Sequence, residues 1–126
     1  MGGHRDLRVW HDAMALAEAV YALTKTFPRE EIYGLTSQLK RAAVSVPSNI
    51  AEGYGRGGKD YERFVGLAYG SLLELKTQIE LASRLALAPA DRANDLLTRT
   101  ASVGRQLNAL RSGLRRRRLS SETPEP

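Results

Sequence analysis

The chain of 126 residues contains no cysteine, which excludes disulfides, thiolate metal sites and a cysteine nucleophile. A reducing compartment suits such a composition. Histidine is scarce as well, with only His4 and His11. Neither follows a glutamate by three residues, so the Glu-x-x-His pairs that hold metal inside helical bundles are missing. Ser45, Ser48 and Ser71 have no histidine near them in sequence and so lack the positioned base of a nucleophile. Helix packing and capping are their expected roles. No stretch approaches the roughly 20 apolar residues of a membrane span. Met1-Gly2-Gly3-His4-Arg5-Asp6 lacks the apolar core of a signal peptide, and Asp6 occupies the place of the hydroxyl needed for myristoylation. These absences predict a cytoplasmic, non-catalytic protein with no metal and no cofactor.

What is present suits one globular domain: 42% apolar and 26% charged residues. The net charge of +5 is unevenly placed, because four positive charges sit together as Arg115, Arg116, Arg117 and Arg118. The rest of the chain is nearly neutral by count. A strong positive field therefore has to come from the C-terminal run or from charges gathered by folding and assembly.

The apolar residues recur at helical spacing in four segments. After Asp6, a plausible N-cap, Leu7, Trp10, Met14, Ala17 and Tyr21 form one stripe and Val9, Ala13, Leu16, Val20, Leu23 and Phe27 a second. Together they make a broader apolar face than a two-helix seam requires. Pro28 predicts an end to this helix at Phe27. The second helix is expected from Leu35 to Glu52, with Leu35, Leu39, Ala42, Val46 and Ile50 inward and a bend at Pro47. In the third, Tyr61, Val65, Ala68, Leu72, Leu75, Ile79, Ala82 and Ala86 alternate steps of four and three. Leu87-Ala88-Pro89 connects it to a fourth helix carrying Leu96, Thr100, Val103, Leu107, Leu110 and Leu114. No alternation calls for a strand and no long repeat calls for a solenoid. The predicted fold is all-α: an antiparallel up-down-up-down four-helix bundle over residues 7–118, between a flexible 1–6 and a disordered 119–126. The surplus apolar face predicts self-association.

Gly53-Tyr54-Gly55-Arg56-Gly57-Gly58-Lys59 satisfies G-x-G-x-x-G and most of a Walker A loop. Both patterns need a preceding strand, and Asp60 stands where a magnesium-binding hydroxyl belongs. A glycine turn between two helices is the better reading. Gln38, Ser45, Asn49 and Glu52 on the second helix, and Glu74 and Gln78 on the third, lie at or beside the seams. They are expected to form a buried hydrogen-bond network around Pro47 or to line a subunit interface or pore. Converging Glu52 and Glu74 in a polar pocket would instead reopen an enzymatic reading.

Two basic clusters are candidates for phosphate contact. Arg56, Lys59 and Arg63 are interleaved with Tyr54 and Tyr61, placing charge beside stacking surfaces. Arg111, Arg115 and Arg118 share one helical stripe, with Arg116 and Arg117 beside it. Arginines near a helix C-terminus also complement the macrodipole, and exposed helices carry charge in any case.

Three segments, in order, resemble a known family: Leu7-Arg8-Val9-Trp10-His11-Asp12-Ala13-Met14, then Tyr33 through Gly53, with Ser45-Val46-Pro47-Ser48-Asn49-Ile50-Ala51-Glu52-Gly53 at its end, then Gly70-Ser71-Leu72-Leu73-Glu74-Leu75-Lys76-Thr77-Gln78. The chain is similar from about Leu7 to about Leu114 to the four-helix-bundle 23S rRNA intervening-sequence proteins, also called S23 ribosomal proteins. The resemblance implies a closed pentameric ring and no catalytic residues. It further implies kinship with the accessory proteins of diversity-generating retroelements, which bind RNA and a reverse transcriptase. RNA and a polymerase or reverse transcriptase are thus the implied partners, with Arg41 and Arg56 at basic positions of the family's central segment. The expected function is a non-catalytic RNA-associated adaptor; a protein-protein scaffold without RNA contact is the alternative.

Overall fold

The computed structural model describes residues 2–122, and four α-helices make up most of them: α1 (Arg8–Thr24), α2 (Leu35–Arg56), α3 (Gly58–Arg84) and α4 (Ala90–Glu122). No strand occurs among the described residues. The apolar stripes explain how the helices meet. α2 packs between α1 and α3, and α4 closes the arrangement by packing on α3 and α1. The shared core contains Leu16, Val20 and Leu23 of α1, Leu39, Val46 and Ile50 of α2, Val65, Leu75 and Ile79 of α3, and Val103 and Leu107 of α4. All eleven are essentially inaccessible to water, each contributing on the order of 1.5–3 kcal/mol by burial.

Register follows from close contacts. Between α2 and α3, Gly53 approaches Phe64 and Ser45 bonds Ser71. Between α3 and α4, Glu62 meets Arg115, Gly66 lies under Arg111, and Leu72 lies against Gly104. Partner numbers fall along one helix as they rise along its neighbour.

Local chemistry sets the helix ends. The carboxylate of Glu31 accepts the Leu35 amide at 3.3 Å, capping α2. Asp6 does not cap α1. It sits in a 3-10 turn, Gly3–Asp6, and its carboxylate accepts the Gly2 amide at 3.1 Å. α1 ends at Thr24, three residues before Phe27, because the amides of Thr26 and Phe27 turn onto the carbonyls of Leu23 and Thr24. α3 stops at Arg84 and Ala86 leaves the seam, taking a φ of 60° while the Leu87 amide reaches the Ala82 carbonyl at 2.9 Å.

The largest departure from the sequence pattern is the glycine segment. α2 does not end at Glu52 but runs through Gly53 and Gly55 to Arg56, leaving only Gly57 and Gly58, with φ of 69° and 56°, to turn the chain. A Cβ on Gly53 would stand 2.7 Å from the Phe64 Cβ and 3.2 Å from the Tyr61 carbonyl oxygen. Glycine is there to let two helices touch, not to break one. α4 likewise continues beyond residue 118 to Glu122, while residues 123–126 lie outside the described residues.

Of the first stripe of α1, only Ala17 is buried in the core among the described residues, with Leu7 and Trp10 packed against it. Met14 and Tyr21 are 39% and 40% exposed, and Trp10 is half-buried beneath His4, with ring centres 4.8 Å apart. With Val44 and Pro47 of α2 they line an open apolar groove of about 580 Å³.

Candidate nucleic-acid interface

The two basic clusters, separated by some fifty residues of sequence, occupy the same end of the molecule. Three contacts establish this. A Cβ on Gly3, just before α1, would stand 4.0 Å from the Tyr54 ring at the end of α2, so both elements reach that end. Glu62, in the first turns of α3, takes Arg118 at 2.8 Å and Arg115 at 3.4 Å. Arg111 lies over Gly66, its guanidinium 3.6 Å from where a Cβ would stand.

Within this end, the arginines divide by partner. Arg56 pairs with Glu52 at 2.8 Å and Asp60 at 3.4 Å, and Arg63 lies 3.6 Å from Asp60. Both guanidinium groups also lie over the Phe64 ring, at 5.0 and 4.7 Å from its centre. Arg115 and Arg118 share Glu62. Arg111, Arg116 and Arg117 have no carboxylate within ion-pair distance among the described residues, and Arg116 and Arg117 are exposed. Lys59 is exposed beside the turn. Arg41 does not join the cluster: it is exposed on α2 about four turns before Gly57.

Tyr54 and Tyr61 meet edge to face, ring centres 5.7 Å apart. Burial raises the Tyr61 phenol above its ordinary value, with Tyr54 adding to this and the Arg117 charge opposing it. Arg117 of α4 is therefore close to the tyrosine pair as well.

Glu62 was not legible as a site residue, since its partners lie 53 and 56 positions away. Its side chain is only 16% exposed. The Arg118 hydrogen bond lowers its carboxyl below the usual 4.5, and Arg115 adds to the effect against the opposing effect of burial. A carboxyl depressed on folding adds stability above its unfolded value and loses that contribution as pH falls through the folded one. Acidification below about 4.5 should therefore loosen the last turns of α4 from α3. Far-UV circular dichroism should register an early loss of helix in the native chain that Glu62→Gln does not share. Identical acid profiles for the two chains would remove Glu62 from this role.

The polar seam residues separate into smaller groups. Asn49 donates through Nδ2 to the Ser45 carbonyl at 2.8 Å and the Ser45 hydroxyl at 2.9 Å, and that hydroxyl meets Ser71 at 2.8 Å. The carbonyl that Pro47 deprives of an amide partner is that of Ala43, so this network braces the α2–α3 contact instead of repairing the proline site. Gln38 and Glu52 are exposed, and Glu52 binds Arg56. Gln78 is buried and donates weakly to exposed Glu74 at 3.4 Å, leaving its own Oε1 without a partner. Glu52 and Glu74 are thus each engaged within their own helix, on separate groups. His11 is exposed and meets the Arg5 carbonyl at 2.7 Å.

Arginines, half-buried aromatics and an open glycine turn at one end give a surface able to bind phosphates and ring faces. No curated protein matches the chain. A family model described as 23S rRNA-intervening sequence protein matches residues 5–109, which takes in the α2–α3 turn and stops before Arg111 and the arginine run. With that match covering most of its length and four helices as its fold, the chain belongs to the 23S rRNA-intervening sequence protein family.

Proposed function

We propose that this chain is a non-catalytic, RNA-associated adaptor that works in the cytoplasm as a ring of identical bundles, a pentamer being the favoured number. The observation that carries the RNA part is the meeting of the α2–α3 turn with the arginine run of α4. Folding gathers Arg56, Lys59 and Arg63 with Arg111 and Arg115 to Arg118, and among the described residues Glu52, Asp60 and Glu62 oppose Arg56, Arg63, Arg115 and Arg118 through ion pairs there. Positive charge concentrated in this way attracts a polyanion, and repetition around a ring multiplies each weak contact. Titrating labelled RNA with the purified protein at rising salt tests the reading. Binding that weakens steeply with salt supports it, and no binding even at low salt ends it. A protein partner that survives nuclease treatment, without RNA, would favour a scaffold for a polymerase or reverse transcriptase.

The descending register of contacting pairs supports the antiparallel arrangement, and Pro47, which offers no amide to the Ala43 carbonyl one turn earlier, supports a bend in α2. The assembly reading rests on the groove of α1 and α2. Trp10, Met14, Tyr21 and Val44 line an open apolar groove that a second copy of the chain could cover. Met14→Lys places a charge in that groove and should shift the mass measured by light scattering from oligomer toward monomer. A native chain that is already monomeric at micromolar concentration would contradict the assembly.

A further inference from the structure

The basic end holds two kinds of group in two places. On α4, Arg111, Arg116 and Arg117 have no carboxylate partner among the described residues and are available to phosphate. At the α2–α3 turn, by contrast, Arg56 and Arg63 are already held by Glu52 and Asp60, and the group left over is an aromatic ring. Tyr54 is 39% exposed in the last turn of α2. Its edge-to-face contact with Tyr61 fixes its orientation and uses at most one ring face. Gly3 lies near the ring's Cε1 edge, and the glycines of the turn add no bulk beside it: a Cβ on Gly55, Gly57 or Gly58 would meet nothing within 4 Å.

This division of labour discriminates between forms of nucleic acid. A double helix offers a partner its phosphates and groove edges but hides the faces of its bases. It could use the arginines of α4 and would leave Tyr54 idle. A single strand presents phosphate and base faces together, and base–aromatic stacking adds to charge attraction. Resting on the RNA reading above, we infer that this site takes single-stranded RNA, with Tyr54 as the platform for a base and the α4 arginines holding the adjoining phosphates.

The test compares a short labelled single-stranded RNA with a blunt RNA duplex of equal length, by fluorescence anisotropy on the full chain. The strand should bind more tightly than the duplex. Tyr54→Ala should weaken the strand by at least about fivefold, the low end of the measured range for one stacked base, and leave the duplex unchanged. Tyr54→Phe keeps the ring and should retain strand affinity, whereas Tyr54→Leu keeps apolar bulk without a ring and should lose it. Equal or tighter binding of the duplex, or a strand affinity indifferent to Tyr54→Ala and Tyr54→Leu, overturns the inference while leaving RNA association standing. Failure of both RNAs to bind overturns the association and this inference together.

Discussion

Replacing Arg115, Arg116, Arg117 and Arg118 with serine is expected to abolish most RNA affinity at moderate salt and to flatten its salt dependence. Each phosphate neutralised on a single strand contributes about 0.7 to the slope of log affinity against log salt. Two to four contacts from the run would reduce that slope by roughly 1.5 to 3, so the native and substituted chains should diverge most at low salt. Between about 50 and about 200 mM salt, the higher figure corresponds to a roughly 50-fold change in the affinity ratio. The fourfold variant has a second effect, since Glu62 loses both partners and the end of α4 loses its anchor on α3. The double variant Arg116→Ser with Arg117→Ser separates the two. It leaves the Glu62 pairs in place, so its helix content should be native while its slope falls by about 1.4. Unchanged slopes in both variants would show that the run does not touch RNA.

Gly53→Leu should be the most damaging of the glycine substitutions, and Gly55→Ala, two residues on, should stabilise. At Gly53 the obstruction is the Cβ of Phe64 and the backbone carbonyl of Tyr61, neither of which can swing aside. Overpacking of this kind costs about 1–3 kcal/mol, and a branched side chain at a helix contact belongs at the upper end. That corresponds to a melting temperature lower by on the order of 10 °C. Gly55 is helical with open space around it, so alanine there gains about 0.5–1 kcal/mol from reduced backbone freedom in the unfolded chain. Thermal denaturation of the two variants decides the matter. Shifts of the same sign would mean that α2 and α3 do not approach closely at Gly53.

The helices were legible because burial imposes its period on the sequence. On α3, Val65, Ala68, Leu72, Leu75, Ile79 and Ala82 are all buried, as their alternating spacing predicts. On α4 the same holds for Leu96, Thr100, Val103 and Leu107. Gly53 and Gly55 misled because glycine has two uses, ending a helix and admitting a close neighbour, and the neighbour is known only after folding. The inner and outer stripes of α1 look alike in sequence, since both are apolar; which one meets the core depends on where α2 and α4 lie. Each basic cluster was visible separately. Their meeting was not, because Glu62 and its two arginines are joined only by the register of α3 against α4.

That register also makes the arginine run a matter of phase. Asp12 of α1 bonds Gln106 of α4 at 2.8 Å, so α4 has passed the start of α1 by the time it reaches the run, and α3 alone flanks its last turns. A helix rotates by about 100° with each residue. One residue inserted before Arg115 would turn the whole run around the helix axis and leave Glu62 facing one arginine in place of two. An insertion of seven would restore the rotation but carry the charges about 10 Å farther out, beyond Glu62. The pairing of the run with Glu62 therefore depends on both the phase and the length of α4 before Arg115.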